Sequence, residues 1–283
     1  MKNTSFHDLK NKVCVITGGG GIIGKALCDA LAGVGVKVAV LDIDKKLAEE
    51  TAKQLEKEFN NIAIGIDANV LNLDSLKEAK RAINEQLGNI NFLINCAGGN
   101  SPKATTKVEF INDDNLKDLS TTFFGLELEG FKQVFDLNFL GTVLPTMVFA
   151  RDMIEAKNGA IINISSMNSF RPLTKIPAYS AAKASINNLT QWLAVHFAKM
   201  NVRVNAIAPG FFLTNQNRFL LIDENSGSLT PRGEKIISAT PMGMFGDPED
   251  LQGVTLFLLS DLSKFITGVV IPVDGGFSAY SGV

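Results

Sequence analysis

A tyrosine and a lysine stand four residues apart in SSMNSFRPLTKIPAYSAAK, which covers residues 165–183. If a helix begins at Pro177, Tyr179 and Lys183 share one of its faces, because residues four apart are neighbours on a helix. An ammonium group beside a phenol favours the phenolate, so we expect the pKa of Tyr179 to fall from about 10 toward neutrality. The pair would then be a tuned acid for proton transfer. Alone, this spacing is a weak signal, because it often arises by chance.

A second candidate site is the glycine-rich segment TGGGGIIG, from Thr17 to Gly24, between a strand pattern and a helix pattern. Glycines let the backbone approach a pyrophosphate, and the free N–H groups of a helix N-terminus attract it. The next strand pattern ends in Asp42, twenty-four positions after Gly18, where a carboxylate would bind an adenosine ribose. An aspartate repels a 2′-phosphate and no arginine follows it, so NAD(H) is favoured over NADP(H). Asp44 either adds to this repulsion or caps the following helix.

Short β-branched runs alternate with longer helical patterns along the sequence. This alternation indicates parallel strands joined by helical crossovers, and continuously apolar strands indicate a sheet that is covered on both faces. The seven strand patterns are KVCVIT, VKVAVLD, IAIGI, NFLIN, AIINIS, RVNAIA and GVVIPV. We therefore expect an α/β fold with a doubly wound, seven-stranded parallel sheet, as a single domain over residues 1–283.

Two irregular segments interrupt this alternation, at about residues 99–121 and 211–241. Long loops in a compact domain are usually functional, and both segments follow strand ends, where open α/β sheets bind their ligands. We call them the first and second insertions and expect them to form the substrate side of the site.

The bulk composition excludes several classes of function. The formal net charge is −2 and basic residues are interspersed with acidic ones, so we expect neither nucleic acid nor membrane partners. The first twelve residues contain no apolar signal region, and no run of roughly 18 apolar residues occurs, which predicts a cytoplasmic protein. Cys14, Cys28 and Cys96 are interpreted as buried, reduced thiols. With two histidines and no CxxC pattern, no metal site is expected.

The chain resembles the short-chain dehydrogenases/reductases over nearly its whole length. The resemblance is carried, in sequence order, by TGGGGIIG, NCAG (95–98), Asn138 of DLNFLG, NISS (163–166), YSAAK (179–183), NAIAPG (205–210) and VDGG (273–276). This combination in this order is highly specific. It implies a Rossmann-type fold with helices on both faces of the sheet and an NAD-dependent oxidoreductase activity.

The resemblance also implies roles for individual residues. Ser166 would hydrogen-bond the substrate oxygen, with Ser165 as the weaker candidate, and Tyr179 would be the acid or base. Lys183 would lower the pKa of Tyr179 and hold the nicotinamide ribose, while Asn138 would interrupt its helix to position a water. The implied cofactor-binding residues are Gly18, Gly20, Gly21, Ile22, Ile23, Gly24, Asp42, Asn69, Val70, Asn95, Ala97, Gly98, Tyr179, Lys183, Pro209, Gly210, Phe212 and Thr214.

Two positions depart from the family pattern. The usual glycine-rich turn reads TGxxxGxG, whereas Ile22 stands at its middle glycine position and Gly21 comes one place early. The adenine-contacting aspartate that often follows the third strand is replaced by Asn69, with Val70 behind it. We expect the local turn to differ and the site itself to persist.

The positively charged and amide side chains near the candidate site indicate a class of substrate. Arginine and lysine residues lie between Ser166 and Tyr179 and in the two insertions, and a guanidinium can hold a carboxylate bidentately, so a small hydroxylated anion such as a sugar acid is favoured. For each residue alone, a solvated loop or a subunit contact is an equal alternative. We call Lys103, Arg171, Lys175 and Arg218 the cationic rim. The candidate substrate-binding residues are Asn100, Lys103, Ser166, Asn168, Arg171 and Arg218, with Lys175, Asn215 and Asn217 beside them.

Four longer strings, CAGGNSPKATT, SSMNSFRPLTKIPAYSAAK, APGFFLTNQNRFLL and IPVDGGFSAYSGV, resemble one subfamily, the D-mannonate oxidoreductases (fructuronate reductases) of the short-chain type. This resemblance implies NAD(H)-dependent interconversion of D-fructuronate and D-mannonate by hydride transfer at the 5-keto/hydroxyl carbon. Two alternatives stay open: another sugar-acid or polyol dehydrogenase, such as a gluconate 5-dehydrogenase-like enzyme, and a non-catalytic nucleotide-binding protein. Apolar helix patterns at residues 143–150 and 186–197 predict a homo-oligomer, either a tetramer or a dimer, although burial in the protein's own core would explain them equally.

Overall fold

The fold is a seven-stranded sheet in a computed structural model that describes residues 5–214, 218–224 and 226–282. Its strands are β1 (Val13–Thr17), β2 (Lys37–Asp42), β3 (Ala63–Asp67), β4 (Phe92–Asn95), β5 (Gly159–Ile164), β6 (Val202–Pro209) and β7 (Val270–Val273). All neighbouring strands pair in parallel, in the order β3-β2-β1-β4-β5-β6-β7. The predicted Rossmann-type α/β sheet is confirmed, and the strand order reverses between β1 and β4, where open sheets of this kind bind ligands.

Helices cover both faces of the sheet. They are α1 (Ile22–Gly33), α2 (Lys45–Phe59), α3 (Leu73–Gln86), α4 (Leu128–Phe135), α5 (Gly141–Ala156), α6 (Pro177–Phe197), α7 (Arg218–Leu221), α8 (Pro231–Ser238) and α9 (Gln252–Leu259). One apolar cluster packs α1, α2 and α9 against the sheet, and a second cluster packs α3, α5 and α6 against its other face.

Strand β1 shows why the strand patterns are continuously apolar. Cys14 and Ile16 belong to the first cluster, whereas Val13 and Val15 belong to the second, because alternate side chains of a strand point to opposite faces. All four are buried. Burial of each large aliphatic side chain stabilises the fold by roughly 1.5–3 kcal/mol, so both helical layers are held through the same strands.

Helices α4 and α5 form one long helical segment, Leu128–Ala156, interrupted by a π-helical turn at Asp136–Leu140. In the described part of the protein this is the one helical segment long and apolar enough to cross a membrane. Half of its most apolar window is buried in the protein, and α5 packs against α3, β4 and β5. Core helices meet the same length and hydropathy criterion, so the segment does not by itself indicate a membrane span.

The two insertions contain more regular structure than expected. The first contains three single 3₁₀ turns, at Pro102–Ala104, Asp113–Asn115 and Leu119–Thr121. The second contains α7 and α8, so the expectation of an irregular segment over 211–241 is wrong there. The hydroxyl of Thr230 accepts a hydrogen bond from the Gly233 N–H at the start of α8, and a proline occupies its first turn. Threonine followed by proline is a helix start signal, because it supplies both a cap and a preset φ.

Candidate active site

Helix α6 brings Tyr179 and Lys183 together as predicted. The helix begins at Pro177, and the Lys183 ammonium nitrogen lies 5.6 Å from the centre of the Tyr179 ring. Lys183 Nζ donates a 2.7 Å hydrogen bond to the carbonyl oxygen of Ile164, the last residue of β5. The lysine therefore joins the helix to the end of the strand that leads into Ser166.

Ser166 completes a cluster with the tyrosine. It lies at the N-cap of a single 3₁₀ turn, Met167–Ser169, and its side-chain oxygen accepts a 3.3 Å hydrogen bond from the Asn168 N–H. Its hydroxyl also hydrogen-bonds the phenol of Tyr179. A serine and a tyrosine that share a hydrogen bond can both reach one substrate oxygen, which is what carbonyl reduction requires.

The expected direction of the Tyr179 pKa shift is wrong for the polypeptide itself. Burial raises the pKa of Tyr179 above its ordinary value, and the hydrogen bond from Ser166 only partly offsets this effect. Lys183 is itself buried, and burial lowers its pKa from 10.5 to about 8. The Lys183 ammonium group donates to the Ile164 carbonyl, so its positive charge is directed at that oxygen and not at the phenol.

Asn138 lies in the π-helical turn between α4 and α5, which confirms that the helix is interrupted there. Its side-chain nitrogen donates to the Gly99 carbonyl at 2.7 Å and to the Val134 carbonyl at 2.8 Å. Its side-chain oxygen accepts a 3.3 Å hydrogen bond from the Gly99 N–H. These bonds tie the interrupted helix to the loop that follows β4, beside the lysine.

A cleft of about 590 Å³ runs from the glycine turn to this cluster, along the carboxyl ends of the strands. Thirteen of the predicted cofactor-binding residues line it: Gly18, Gly21, Ile22, Ile23, Gly24, Asp42, Asn69, Val70, Ala97, Gly98, Tyr179, Lys183 and Thr214. Gly20 does not line the cleft, but its N–H donates to Asp42.

The glycine turn presents bare backbone at the start of α1. Gly18 has φ +64°, and a Cβ atom there would lie 2.9 Å from the Cα of Ala97. A Cβ atom on Gly24 would lie 2.2 Å from the Gly18 carbonyl oxygen, which is closer than any real contact. Gly21 is the N-cap of α1, so Ile22 begins the helix instead of extending the turn. This cradle fits a pyrophosphate, because backbone N–H groups can approach it without side-chain obstruction.

Asp42 and Asp44 have different roles. Asp44 is the N-cap of α2 and accepts a 2.9 Å hydrogen bond from the Lys46 N–H, which confirms the capping alternative. Asp42 ends β2 at the cleft, where its two carboxylate oxygens accept hydrogen bonds of 3.1 Å from the N–H groups of Gly20 and Asp44. The carboxylate is thereby fixed beside the glycine turn, where an adenosine ribose would lie.

Several predicted cofactor contacts are not brought to the cleft. Asn95 is buried, and its side-chain nitrogen donates to the Thr146 hydroxyl at 3.0 Å and to the Asn163 side-chain oxygen at 2.8 Å. The ring of Phe212 is buried in the core and lines a separate, smaller cavity. Pro209 and Gly210 end β6 and lie outside the cleft lining. The sequence motifs that contain these residues also form the ends of strands, so the residues pack within or beside the sheet instead of lining the cleft.

Comparison with known proteins assigns this arrangement to a family. The family model described as Enoyl-(Acyl carrier protein) reductase matches residues 20–278. The chain belongs to the short-chain dehydrogenase/reductase family.

Three relatives cover nearly the whole of this short-chain dehydrogenase. A solved Haemophilus influenzae structure, described provisionally as a D-mannonate oxidoreductase with bound NAD, is 51% identical, has a TM-score of 0.93 and aligns over 98% of each chain. The Bacillus subtilis uncharacterized oxidoreductase UxuB is 48% identical over 98% of each chain. The Formosa agariphila 2-dehydro-3-deoxy-D-gluconate 5-dehydrogenase is 32% identical over 99% of this chain and 97% of its own length.

Two of the four residues of the cationic rim form contacts within the protein itself. The Arg171 guanidinium donates to the backbone carbonyl of Tyr280, and Lys103 forms a 3.0 Å ion pair with Glu127. Arg218 is exposed at the start of α7. Asn100 donates a 2.9 Å hydrogen bond to the Thr105 hydroxyl. Two of the four rim cations, Arg171 and Lys103, therefore already have partners within the protein, and Asn215 and Asn217 lie outside the described residues.

Asn168 is the candidate substrate-binding amide that follows Ser166 by two residues. It is 4% exposed, and its side-chain oxygen has no hydrogen-bond partner among the residues that the structure describes. A buried, unpaired amide oxygen is destabilising by roughly 1–3 kcal/mol. A hydroxyl group bound beside Ser166 would relieve this, so Asn168 keeps its place among the candidate substrate residues.

Part of the cleft lining was not predicted from the sequence, including Ile43, Leu71 and Cys96. These residues lie shortly after the ends of β2, β3 and β4, respectively. Because open α/β sheets bind ligands beyond the carboxyl ends of their strands, this position is the signal that could have identified them. Cys96 was expected to be buried, yet the residue is only partly covered. Desolvation of its thiol, which points into the protein, still raises the thiol pKa to about 11.

Proposed function

We propose that this short-chain dehydrogenase is an NAD(H)-dependent oxidoreductase that interconverts D-fructuronate and D-mannonate at the 5-keto/hydroxyl carbon. The observation that carries the proposal is that Tyr179, with Ser166 as its hydrogen-bond partner, and Lys183 line one end of a cleft whose other end is a glycine cradle. The relative described as a D-mannonate oxidoreductase, which binds NAD and is 51% identical, supports both the cofactor and the substrate.

The protein's own residues fit a dinucleotide along the cleft. The turn from Gly18 to Gly24 would hold the pyrophosphate, and Asp42 would accept hydrogen bonds from the adenosine ribose. Asn69 and Val70 would border the adenine, while Tyr179 and Lys183 would bind the nicotinamide ribose. Because Asp42 repels a 2′-phosphate, NAD(H) is preferred to NADP(H). When bound, the reduced cofactor supplies the hydride and the oxidised form accepts it.

Three side chains would manage the proton and the charge. Ser166 donates a hydrogen bond to the substrate oxygen, which gains negative charge during reduction. Tyr179 gives its proton to the same oxygen, and its raised pKa keeps the phenol protonated at neutral pH, as an acid must be. Lys183 holds the ribose hydroxyls, and Asn138 keeps the adjoining loop in place through Gly99.

The raised pKa of Tyr179 has a consequence for the reaction direction. Reduction uses the protonated phenol and is favoured at neutral pH, whereas oxidation of D-mannonate needs the phenolate. Because burial raises the pKa of Tyr179, the oxidation rate should rise as the pH is increased through the alkaline range.

The substrate would be held by the amide beside Ser166 and by one cation of the rim. The Asn168 side-chain oxygen would accept a hydrogen bond from a sugar hydroxyl. The Arg171 guanidinium would exchange the Tyr280 carbonyl for the substrate carboxylate, since a hydrogen bond between two charged groups is roughly twice as strong as one between neutral groups.

A second candidate is another sugar-acid or polyol dehydrogenase, such as a gluconate 5-dehydrogenase-like enzyme. The Formosa agariphila relative supports it, because its described activity is a 5-dehydrogenase acting on a related sugar acid. The same serine, tyrosine and lysine would serve both reactions, and the side chains of the two insertions would select between them.

A panel of carbonyl substrates tests the proposal. The purified protein is assayed with NADH and NADPH against D-fructuronate, D-tagaturonate, 5-ketogluconate and a β-ketoacyl thioester. We expect the highest kcat/KM for D-fructuronate with NADH. A preference for 5-ketogluconate would favour the second candidate. If the protein bound NADH but oxidised it with none of these substrates, it would be a non-catalytic nucleotide-binding protein.

We also propose a cytoplasmic homo-oligomer, tetramer or dimer, built on one catalytic domain. Met147 on α5 is 57% exposed, and Trp192 and Val195 on α6 are 58% and 80% exposed. Large apolar side chains exposed on helices that cover the same face of the sheet are typical of subunit interfaces. Light scattering after gel filtration should give a mass of two or four chains. Val195→Glu, which places a charge on the exposed face of α6, should lower the measured mass.

A further inference from the structure

A hydrogen-bonded side chain on α6 contacts the two serines that flank Ser166. Asn187 lies one helical turn after Lys183, and its side-chain oxygen accepts a 2.6 Å hydrogen bond from the Ser165 hydroxyl. Its side-chain nitrogen donates a 2.8 Å hydrogen bond to the Ser169 hydroxyl oxygen. One carboxamide therefore spans the segment that carries the candidate catalytic serine.

The contacts continue from Ser169 to Ser166 itself. The Ser169 hydroxyl donates a 2.6 Å hydrogen bond to the Ser166 carbonyl oxygen, and the Ser169 N–H donates to the same oxygen at 2.9 Å. In this series of hydrogen bonds the Asn187 amide must donate to Ser169, because the Ser169 proton is already used. The direction of every hydrogen bond is thus fixed, which holds the backbone of Ser166 in one orientation.

We propose that Asn187 is a positioning residue that holds Ser166 against Tyr179 during carbonyl reduction. Tyr179, Lys183 and Asn187 follow one another at intervals of four residues on α6, so the phenol and its serine partner are positioned from the same helix face. The inference rests on the proposed function and adds a residue that touches none of the reacting atoms.

Other contacts already hold α6 to the sheet. Lys183 binds the Ile164 carbonyl, Asn163 of β5 donates a 2.9 Å hydrogen bond to the Thr190 hydroxyl, and Ile186 is fully buried. Loss of the Asn187 carboxamide should therefore leave the helix in place and loosen only the turn at Met167–Ser169. A small misplacement of a catalytic group can reduce a rate by roughly 10²-fold.

The kinetic test compares neighbouring asparagines. Asn187→Leu removes both hydrogen bonds, and Asn188→Leu makes the same chemical change at the adjacent, exposed position. We expect kcat to fall by roughly ten- to a hundred-fold in Asn187→Leu alone, with the NADH Kd unchanged in both. Asn187→Asp, which keeps an acceptor for Ser165 and loses the donor to Ser169, should have an intermediate kcat. A kcat for Asn187→Leu within twofold of Asn188→Leu would overturn the proposal.

A second pair of variants tests the connection through Ser169. Ser169→Ala breaks the same series of hydrogen bonds from its other side and removes less volume, so it serves where Asn187→Leu folds poorly. We expect it to lower kcat by a similar factor, and the double variant to be little worse than either single variant. Effects that multiply would show that the two residues act independently.

A third readout needs no substrate. The sequence contains two tyrosines, so in a Tyr280→Phe background 3-fluorotyrosine labels residue 179 alone, and its fluorine signal reports the titration of that phenol. The Ser166 hydrogen bond lowers the pKa of Tyr179. Asn187→Leu should therefore shift the fluorine titration to higher pH, and Asn188→Leu should leave it unchanged.

The fluorine titration separates this inference from the proposed function. If the wild-type enzyme reduced no sugar acid, the proposed substrate would be wrong, yet the titration would still report whether Asn187 holds Ser166 at the phenol. A titration of Asn187→Leu that coincides with the parent, in a variant with native circular dichroism, would exclude the positioning role.

Discussion

The two ends of the cleft are built in different ways. The dinucleotide end consists of backbone: a glycine turn at the start of α1 and strand ends that carry Asp42, Asn69 and Ala97. The proposed substrate end would instead be formed by long side chains from the two insertions and from the loop before α6. There, Arg171 and Lys103 already have partners within the protein.

This difference shows which parts of a site are preorganised. At Gly18 and Gly24 no other side chain fits, so the shape of the cradle is set by steric contact alone. Arginine and lysine side chains lose up to roughly 2 kcal/mol of rotamer entropy when they are fixed, and they can exchange one acceptor for another. The dinucleotide end should therefore tolerate little change, and the substrate end should change in affinity before it changes in rate.

The largest effect is expected where the two ends meet. Tyr179→Phe removes the proton donor and keeps the ring, so turnover should fall by roughly 10²- to 10⁴-fold while NADH binding is retained. Stopped-flow kinetics and NADH fluorescence titration measure the two quantities separately. If Tyr179→Phe retained turnover, the phenol would have no role in the mechanism. If the variant no longer bound NADH, Tyr179 would be needed for cofactor binding and not for proton transfer.

The second-largest effect is expected when a methyl group is added to the glycine cradle. Gly24→Ala places a Cβ atom 2.2 Å from the Gly18 carbonyl oxygen, and relief of such a clash requires about 1–3 kcal/mol of backbone distortion. We expect the NADH Kd to rise by roughly ten- to a hundred-fold. Gly253→Ala is the matched control, because no atom lies within 4 Å of its Cβ position. Equal affinities in the two variants would show that the cradle is not the pyrophosphate site.

Removal of one charge should alter the choice of cofactor. Asp42→Asn keeps the size of the side chain and removes the repulsion of a 2′-phosphate, which at a partly exposed site is worth about 1–2 kcal/mol. The NADPH to NADH ratio of kcat/KM should rise about tenfold. Asp44→Asn, two residues beyond the strand end, retains a helix-capping side chain and should change this ratio less. The opposite order would assign cofactor choice to the cap of α2.

The same contrast explains what could be predicted from sequence. Strand periodicity and glycine turns depend on backbone sterics, and the pairing of Tyr179 with Lys183 depends on helix geometry, so both follow from short segments. The pKa of Tyr179 depends on how much protein covers it, which no short segment reveals. The partner of Arg171 lies 109 positions away, at Tyr280, and a flexible side chain can reach many such acceptors.

At the substrate end, one rim cation should affect affinity and little else. Arg171→Ala removes the proposed carboxylate anchor, and a hydrogen bond to a charged group is worth about 1.5–3 kcal/mol before the release from Tyr280 is subtracted. We expect KM for D-fructuronate to rise about fivefold, with kcat changed less than twofold. Lys103→Ala, which breaks the ion pair with Glu127 instead, is the control. If it alone raised KM, the anchor would be Lys103.

The smallest effect should come from the ion pair between Glu109 and Lys235, which joins the two insertions. Lys235 lowers the pKa of Glu109, so the stabilisation is present above the ordinary glutamate range and is lost as the pH falls through the lowered pKa. Glu109→Gln should therefore lower Tm slightly at neutral pH, and the difference from wild type should vanish in acid. Glu234→Gln, at an exposed acid on α8, is the control.

Salt distinguishes this contact from the glycine cradle. Exposed charges are screened at high ionic strength, so the Tm difference caused by Glu109→Gln should shrink as salt is added. The effect of Gly24→Ala should persist, because a steric clash does not depend on ionic strength. A salt-independent loss in Glu109→Gln would mean that the insertions are joined by packing, and the substrate end would then be as rigid as the dinucleotide end.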